Sequence, residues 1–94
     1  MMSQGFQDVL AERQKQIRLN GYSSEHDAQY VNGELSLAAI SYADPTVMDA
    51  AAPVPKAWPW QMKFWRPRTR RENLVRAAAL IIAEIDREDQ HSQR

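Results

Sequence analysis

All five prolines of this 94-residue chain lie between positions 45 and 67. Proline lacks a backbone donor and clashes with the preceding helical turn, so this stretch disfavours regular structure. The segments on either side contain no proline and carry apolar residues at helical spacing. The proline distribution therefore predicts helices at both ends of the chain and one long irregular connection between them.

Two helices are predicted before the prolines. The first spans 4–19, where most polar positions hold strong helix formers, and Asn20-Gly21 ends it. Its apolar face consists of Phe6, Leu10 and Ile17. The second spans 28–43, with Asn32 as an alternative start because Gly33 weakens a helix interior, and Asp44-Pro45 ends it.

The third helix begins with a capping box, in which Thr69 and Glu72 satisfy each other's backbone N–H groups. It is predicted to run to about 87–89, with a core-facing apolar stripe. That stripe consists of Leu74, Ala78, Ile81 and Ile85, and Ala77 and Ile82 widen it. The prediction is thus an all-α fold: a single helical domain over 1–89, a Pro/Trp-rich connection between helices two and three, and a flexible tail at 90–94.

The formal net charge is zero, but the two signs are segregated along the chain. The stretch 56–76 holds seven basic residues and one acid, whereas 84–89 is acidic. In the third helix this order opposes the macrodipole. We expect the charges to pair within the fold or between subunits, or to serve an anionic ligand. Because so short a chain builds only a modest core, a homo-oligomer is expected.

Several classes of protein and partner are disfavoured. The chain has no cysteine, no secretory signal pattern and no apolar run long enough to cross a bilayer. A basic cluster at one end of a neutral chain does not match the footprint of a protein that binds extended nucleic acid. The sequence therefore predicts a cytoplasmic protein without a membrane partner.

The stretch 57–71, AWPWQMKFWRPRTRR, combines three tryptophans with five basic residues. Its arginines surround the predicted start of the third helix, where backbone N–H groups favour an anion, and tryptophan planes stack on bases. We therefore predict a nucleotide-like or phosphorylated ligand held by Arg66, Arg68, Arg70, Arg71, Trp65, His26 and Asp27. A small core also needs filling, so at least two of the three tryptophans are expected to be buried.

The densest group of reactive side chains is SEHD at 24–27. Carboxylates from this loop and from the first two helices would suit Mg²⁺ or Mn²⁺, with Glu12, Glu25, Asp27 and Glu34 as the ligands. The alternative is that Asp27 caps helix two while Glu25 and His26 are solvated or paired. No catalytic relay and no Gly-rich phosphate loop is recognisable. The residues thus give little support to an enzyme, and no cofactor is expected outside the metal-dependent alternative.

Five ordered motifs carry a resemblance to a known family: ERQKQI, GYSSEHD, GELSLAAISYA, WPWQMKFWRP and RRENLVRAAALIIAEIDR. Together they resemble a family of small accessory proteins encoded by tailed phages and prophages. That resemblance implies a phage setting, hence the host cytoplasm, and supplies no catalytic residues. A looser likeness to all-α nucleotide pyrophosphohydrolases of the MazG type implies Mg²⁺ or Mn²⁺, although the ExxE and ExxD signatures of that family are interrupted here.

The sequence therefore predicts a phage-encoded small binding protein that sequesters a nucleotide-like ligand, with a role in counter-defence. One alternative is a metal-dependent nucleotide pyrophosphohydrolase. Another is an inhibitor that binds a host protein, because exposed tryptophan and arginine are typical of protein interfaces.

Overall fold

The structure, a computed structural model, describes residues 2–20 and 30–92. These residues form helices α1 (Gln4–Asn20), α2 (Glu34–Ala43) and α3 (Arg70–Ser92), with a 3₁₀ turn at Met62–Phe64. No strand occurs in the two described ranges. The predicted all-α fold, with its long connection between the second and third helices, is confirmed. Within the same ranges, no helix is both long and apolar enough to span a membrane.

Two helix boundaries differ from the prediction. The helix predicted over 28–43 begins only at Glu34, because Gly33 has a left-handed φ of 80° and residues 30–33 are not helical. The Glu34 carboxylate accepts a hydrogen bond from the backbone N–H of Asn32 at 2.6 Å. At the other end, α3 continues to Ser92, so the predicted tail is helical over 90–92, while 93–94 lie outside the described residues.

Helix α3 lies at the centre of the helical layer and contacts both α1 and α2. It runs antiparallel to α2, as two contacts at opposite ends show. The Ser36 hydroxyl donates to the Glu84 carboxylate at 3.1 Å near the start of α2. At its end, the Arg70 guanidinium donates to the carbonyl oxygens of Asp44 and Ala43 at 2.6 and 3.0 Å. Arg70 thus places a positive charge at the negative end of the α2 dipole.

Ion pairs join α3 to α1. Arg71 contacts the Asp8 carboxylate at 2.8 Å, and the nearly buried Arg13 contacts Asp86 at 3.4 Å. Several charges of α3 oppose its dipole. These contacts, together with those of Arg70, show that such charges have partners within the fold. The segregation of charge along the chain is therefore explained in part by helix packing.

Four of the nine residues in the buried core cluster are alanines, whose small side chains let α2 and α3 approach closely. Its buried residues are Leu35, Ala38, Ala39, Tyr42, Val47, Trp65, Ala77, Leu80 and Ala83. The centre of the predicted α3 stripe is wrong, because Leu74, Ile81 and Ile85 are exposed, whereas Ala77 at its predicted edge is buried and the face beside it packs inward. The expected α1 face of Phe6, Leu10 and Ile17 is exposed as well.

The start of α3 is fixed by two side chains. Thr69 Oγ1 accepts a hydrogen bond from the Glu72 backbone N–H at 3.1 Å, as the capping box predicts. The Glu72 carboxylate accepts from the Thr69 hydroxyl at 2.9 Å rather than from the backbone N–H. Fully buried Asn73 bonds both backbone groups of Arg68, accepting from its N–H and donating to its carbonyl. These contacts anchor the end of the proline-rich connection.

Candidate ligand-binding cleft

The proline-rich connection lays a chain of touching aromatic rings over the α2–α3 core. Tyr30 contacts Trp60 at 5.3 Å between ring centroids, and Trp60 meets Trp58 edge-on at 5.4 Å. Trp58 in turn contacts Tyr42 at 5.5 Å and Trp65 at 5.1 Å. Tyr42 and Trp65 stack at 4.8 Å. Edge-to-face and stacked contacts of this kind give the cluster a defined shape.

The three tryptophans have different environments. Trp65 is buried, and its indole N–H donates to the Ala52 carbonyl at 2.9 Å. Trp58 donates to the Gln61 carbonyl at 3.0 Å. Trp58 and Trp60 are partly buried and pack against the core with one part of each ring system. Of the two or more tryptophans expected in the core, Trp65 alone is buried, while Trp58 and Trp60 are partly buried against the core and also line an open cleft.

That cleft lies between α1 and the aromatic cluster and has a volume of about 680 Å³. We call it the aromatic cleft. Its aromatic wall consists of Tyr30, Tyr42, Trp58, Trp60 and Phe64. Its other lining residues are Glu12, Lys15, Gln16, Gln61, Arg66, Arg76 and Leu80. Apolar walls with a few convergent polar groups, at this volume, are typical of small-molecule sites.

Two cations of the cleft are held through Tyr42. The Arg76 guanidinium lies 5.1 Å from the centroid of the Tyr42 ring, and its Nη1 donates to the Tyr42 hydroxyl at 3.3 Å and to the Arg66 carbonyl at 2.7 Å. The backbone N–H of Arg66 donates to the same hydroxyl at 3.3 Å. Tyr42 therefore fixes the backbone of one arginine and the side chain of the other at the cleft wall.

Two residues that line the cleft each hold a buried polar atom without a hydrogen-bond partner among the described residues. One is Oε1 of Gln16, a side chain only 4% exposed, and the other is the indole Nε1 of Trp60. Gln16 Nε2 makes only a long 3.4 Å contact with the Glu12 carboxylate. A buried polar atom left unpaired costs roughly 1–3 kcal/mol. The residues that line the cleft thus include one unpaired acceptor and one unpaired donor.

A smaller, more polar cavity of about 360 Å³ adjoins the cleft and shares Glu12, Lys15 and Arg76 with it. Its further charged residues are Asp8, Arg68, Arg71 and Glu72. The Gln4 side-chain amide, and after it Arg71, hydrogen-bond the Asp8 carboxylate and lower its pKa. Asp8 therefore stays ionised beside the basic groups and partly offsets them.

The structure disperses the predicted arginine cluster. Arg66 lines the aromatic cleft, whereas Arg68 and Arg71 line the smaller cavity. Arg70 points away from both and caps α2. Trp65 lies in the core and supports the aromatic wall from behind. The predicted ligand residues His26 and Asp27 lie outside the described residues.

The predicted metal ligands are likewise separated. Glu12 lines both cavities, while the Glu34 carboxylate is engaged by the backbone of Asn32. Glu25 and Asp27 lie outside the described residues. Across 2–20 and 30–92, no three His, Asp or Glu side chains are placed to hold a metal ion together.

Several residues of the cleft were not singled out from the sequence. They are Lys15, Gln16, Tyr30, Tyr42 and Arg76. Gln16 and Lys15 occupy ordinary polar positions of an amphipathic helix, and only the packing shows that Gln16 is buried. Arg76 was visible as part of the basic block, but its place over Tyr42 depends on how α2 and α3 pack. The chain matches no protein-family model, no curated protein and no solved structure.

Proposed function

We propose that this protein binds a small nucleotide-like ligand in the aromatic cleft. The observation that carries the proposal is that two residues lining the cleft, Gln16 and Trp60, each hold a buried polar atom without a partner, Oε1 and Nε1. A ligand in the cleft pairs with these atoms when the two side chains turn toward it. A nucleobase presents both donors and acceptors on its edge, so it can pair with an atom of either kind. Its planar face suits stacking on the aromatic wall.

The charges of the cleft support an anionic group on the same ligand. Arg66 and Lys15 lie at the exposed side of the cleft, and Arg76 joins it to the smaller cavity. Guanidinium groups bind phosphate oxygens in bidentate fashion. A phosphate that extends from the stacked base toward these side chains uses both parts of the site.

The biological role in this proposal rests on the sequence resemblance. A small phage accessory protein that binds a nucleotide would act by sequestering it, and counter-defence against a host signalling nucleotide fits that chemistry. Binding, rather than turnover, is the activity we propose, because the cleft offers recognition groups and no assembled catalytic relay among the described residues.

The direct test is a thermal-shift and calorimetric titration with AMP, GMP, CMP and UMP, each compared with its nucleoside and with inorganic phosphate. At a free concentration of about ten times Kd, a ligand stabilises by about 1.4 kcal/mol. For a chain of this size that raises Tm by roughly 6–10 °C. We expect at least one nucleotide to do so, and its nucleoside to bind more weakly.

Matched variants localise the binding. Arg66→Gln removes a cation of the cleft, whereas Lys63→Gln removes one from the neighbouring 3₁₀ turn that does not line it. We expect Arg66→Gln alone to weaken nucleotide binding, by roughly tenfold for one charge-assisted contact. Absence of any shift with all four nucleotides would contradict the proposal.

A further inference from the structure

Helices α1 and α3 both turn exposed apolar side chains away from the aromatic cleft. Successive helical residues are separated by about 100°, so the apolar residues of α1 lie roughly 120–160° from Glu12, and those of α3 roughly 140–180° from Arg76. Glu12 and Arg76 line the cleft. The six apolar side chains are 42–61% exposed, and we call them the back face: Phe6, Leu10, Ile17, Leu74, Ile81 and Ile85.

Helix α2 continues this face. Leu37 and Ile40 are exposed and lie roughly 140–160° around the helix from Tyr42, which lines the cleft. The three helices thus form one layer, with the aromatic cluster on one side and apolar side chains on the other. A helical layer is normally covered by a second layer on its apolar side, and a large exposed apolar patch marks an interaction surface.

We propose that the back face is the interface of a two-fold symmetric homodimer, in which the α3 helices of the two copies pack antiparallel. The spacing of the α3 stripe supports a helix as the occupant. Leu74, Ala78, Ile81 and Ile85 are separated by four, three and four residues. This is the alternation of a helix–helix seam, where each apolar side chain inserts between residues of a facing helix.

Charge complementarity identifies that helix as a second copy of α3. Arg70 at the start of the helix and Glu88 near its end each lie about 20° around α3 from Ile81, on the back face, whereas Arg76 lines the cleft. In an antiparallel pair, the basic start of each helix lies beside the acidic end of the other, and the two macrodipoles compensate. The chain has no net charge, so two copies approach without overall repulsion. A two-fold axis brings the same apolar patch into contact with itself.

Sedimentation equilibrium of the full chain tests the association. Each chain has a mass of 10.8 kDa, and we expect twice that mass at high protein concentration. Ile81→Lys, at the centre of the seam, is expected to raise the dimer Kd at least about tenfold. Met62→Lys is the matched control, since Met62 is 72% exposed but lies in the 3₁₀ turn outside the back face. Circular dichroism shows that both variants remain helical.

Cysteine cross-linking tests the orientation, because the chain has no cysteine of its own. In the antiparallel dimer, Leu74 of one copy lies near Ile85 of the other. A mixture of Leu74→Cys and Ile85→Cys proteins should therefore form the mixed disulfide faster than either forms its own. A chain that stays monomeric, a Met62→Lys variant that dissociates as readily as Ile81→Lys, or preferential self-cross-linking of Leu74→Cys would each overturn the proposal.

Discussion

The Arg76 guanidinium lies over the ring of Tyr42, 5.1 Å from its centroid, and donates to the hydroxyl of the same residue at 3.3 Å. One tyrosine thereby links α2, α3 and the end of the proline-rich connection, since the backbone N–H of Arg66 donates to that hydroxyl as well. The Tyr42 ring also stacks on Trp65 in the core. The wall of the aromatic cleft and the packing of the fold therefore depend on the same side chain.

Tyr42→Phe tests this link. The variant keeps the ring and its aromatic contacts but removes the acceptor shared by Arg66 and Arg76. We expect a loss of about 1 kcal/mol in the free energy of unfolding, with up to about 2 kcal/mol if both donors stay unpaired. Urea denaturation measures it. An unchanged midpoint would show that the hydroxyl does not stabilise the cleft wall.

Arg70 and Arg71 provide a matched pair of neighbouring arginines with different roles. Arg70 donates to two carbonyl oxygens at the end of α2, whereas Arg71 makes an exposed ion pair with Asp8. We expect Arg70→Ala to destabilise by about 1.5–3 kcal/mol, and Arg71→Ala by at most about 1 kcal/mol. Equal losses in urea denaturation would contradict the assignment of Arg70 as the cap of α2.

Acid titration tests two carboxylates whose pKa is lowered by folding. Thr46 donates to Asp44 from its hydroxyl and its backbone N–H, and the Gln4 amide and Arg71 contact Asp8. Each carboxylate has a folded-state pKa below the usual 3.8, so its ionised form stabilises the folded protein. This contribution to the free energy of unfolding is present above pH 3.8 and is lost as the pH falls through the folded-state pKa. Stability should therefore decline on the acid side.

The double variant Asp8→Asn with Asp44→Asn isolates this effect. Each asparagine retains an oxygen that accepts from Gln4 or Thr46 but no longer titrates. We expect the variant to lose less stability than the original chain between about pH 6 and about pH 3, as followed by urea midpoints. If the urea midpoints of both proteins fall equally with pH, the acid sensitivity comes from groups other than Asp8 and Asp44.

Local sequence signals correctly predicted those helix ends that depend on a single capping side chain or a single proline. Thr69 caps α3 as expected, and α2 ends directly before Asp44-Pro45. The start of α2 at Glu34 lies one residue beyond the alternative with Asn32 as cap, because Gly33 adopts a left-handed φ and precedes the helix. From the sequence, such a glycine is recognisable only as a weak helix former, because its φ depends on the folded structure.

The packing could not be predicted from periodicity alone. Helix α3 carries two candidate faces, one with Leu74, Ile81 and Ile85 and one rich in alanine, and hydrophobicity favours the first. The core uses the second, since small side chains let α2 and the tryptophans approach α3. The arginine-rich start of α3 was recognised as functional, yet the cleft combines Arg66 with residues from α1 and α2 that only the tertiary fold brings together.

Gln16 is assigned a role in ligand binding, and calorimetric titration of Gln16→Met, beside urea denaturation, tests that role. Methionine matches the shape of glutamine and removes the unpaired Oε1, so the variant should be as stable as the original chain or more stable by about 1 kcal/mol. Gln14→Met, at an exposed position of α1, is the control. We expect Gln16→Met alone to bind the nucleotide at least about tenfold more weakly. Unchanged nucleotide affinity in Gln16→Met would contradict it.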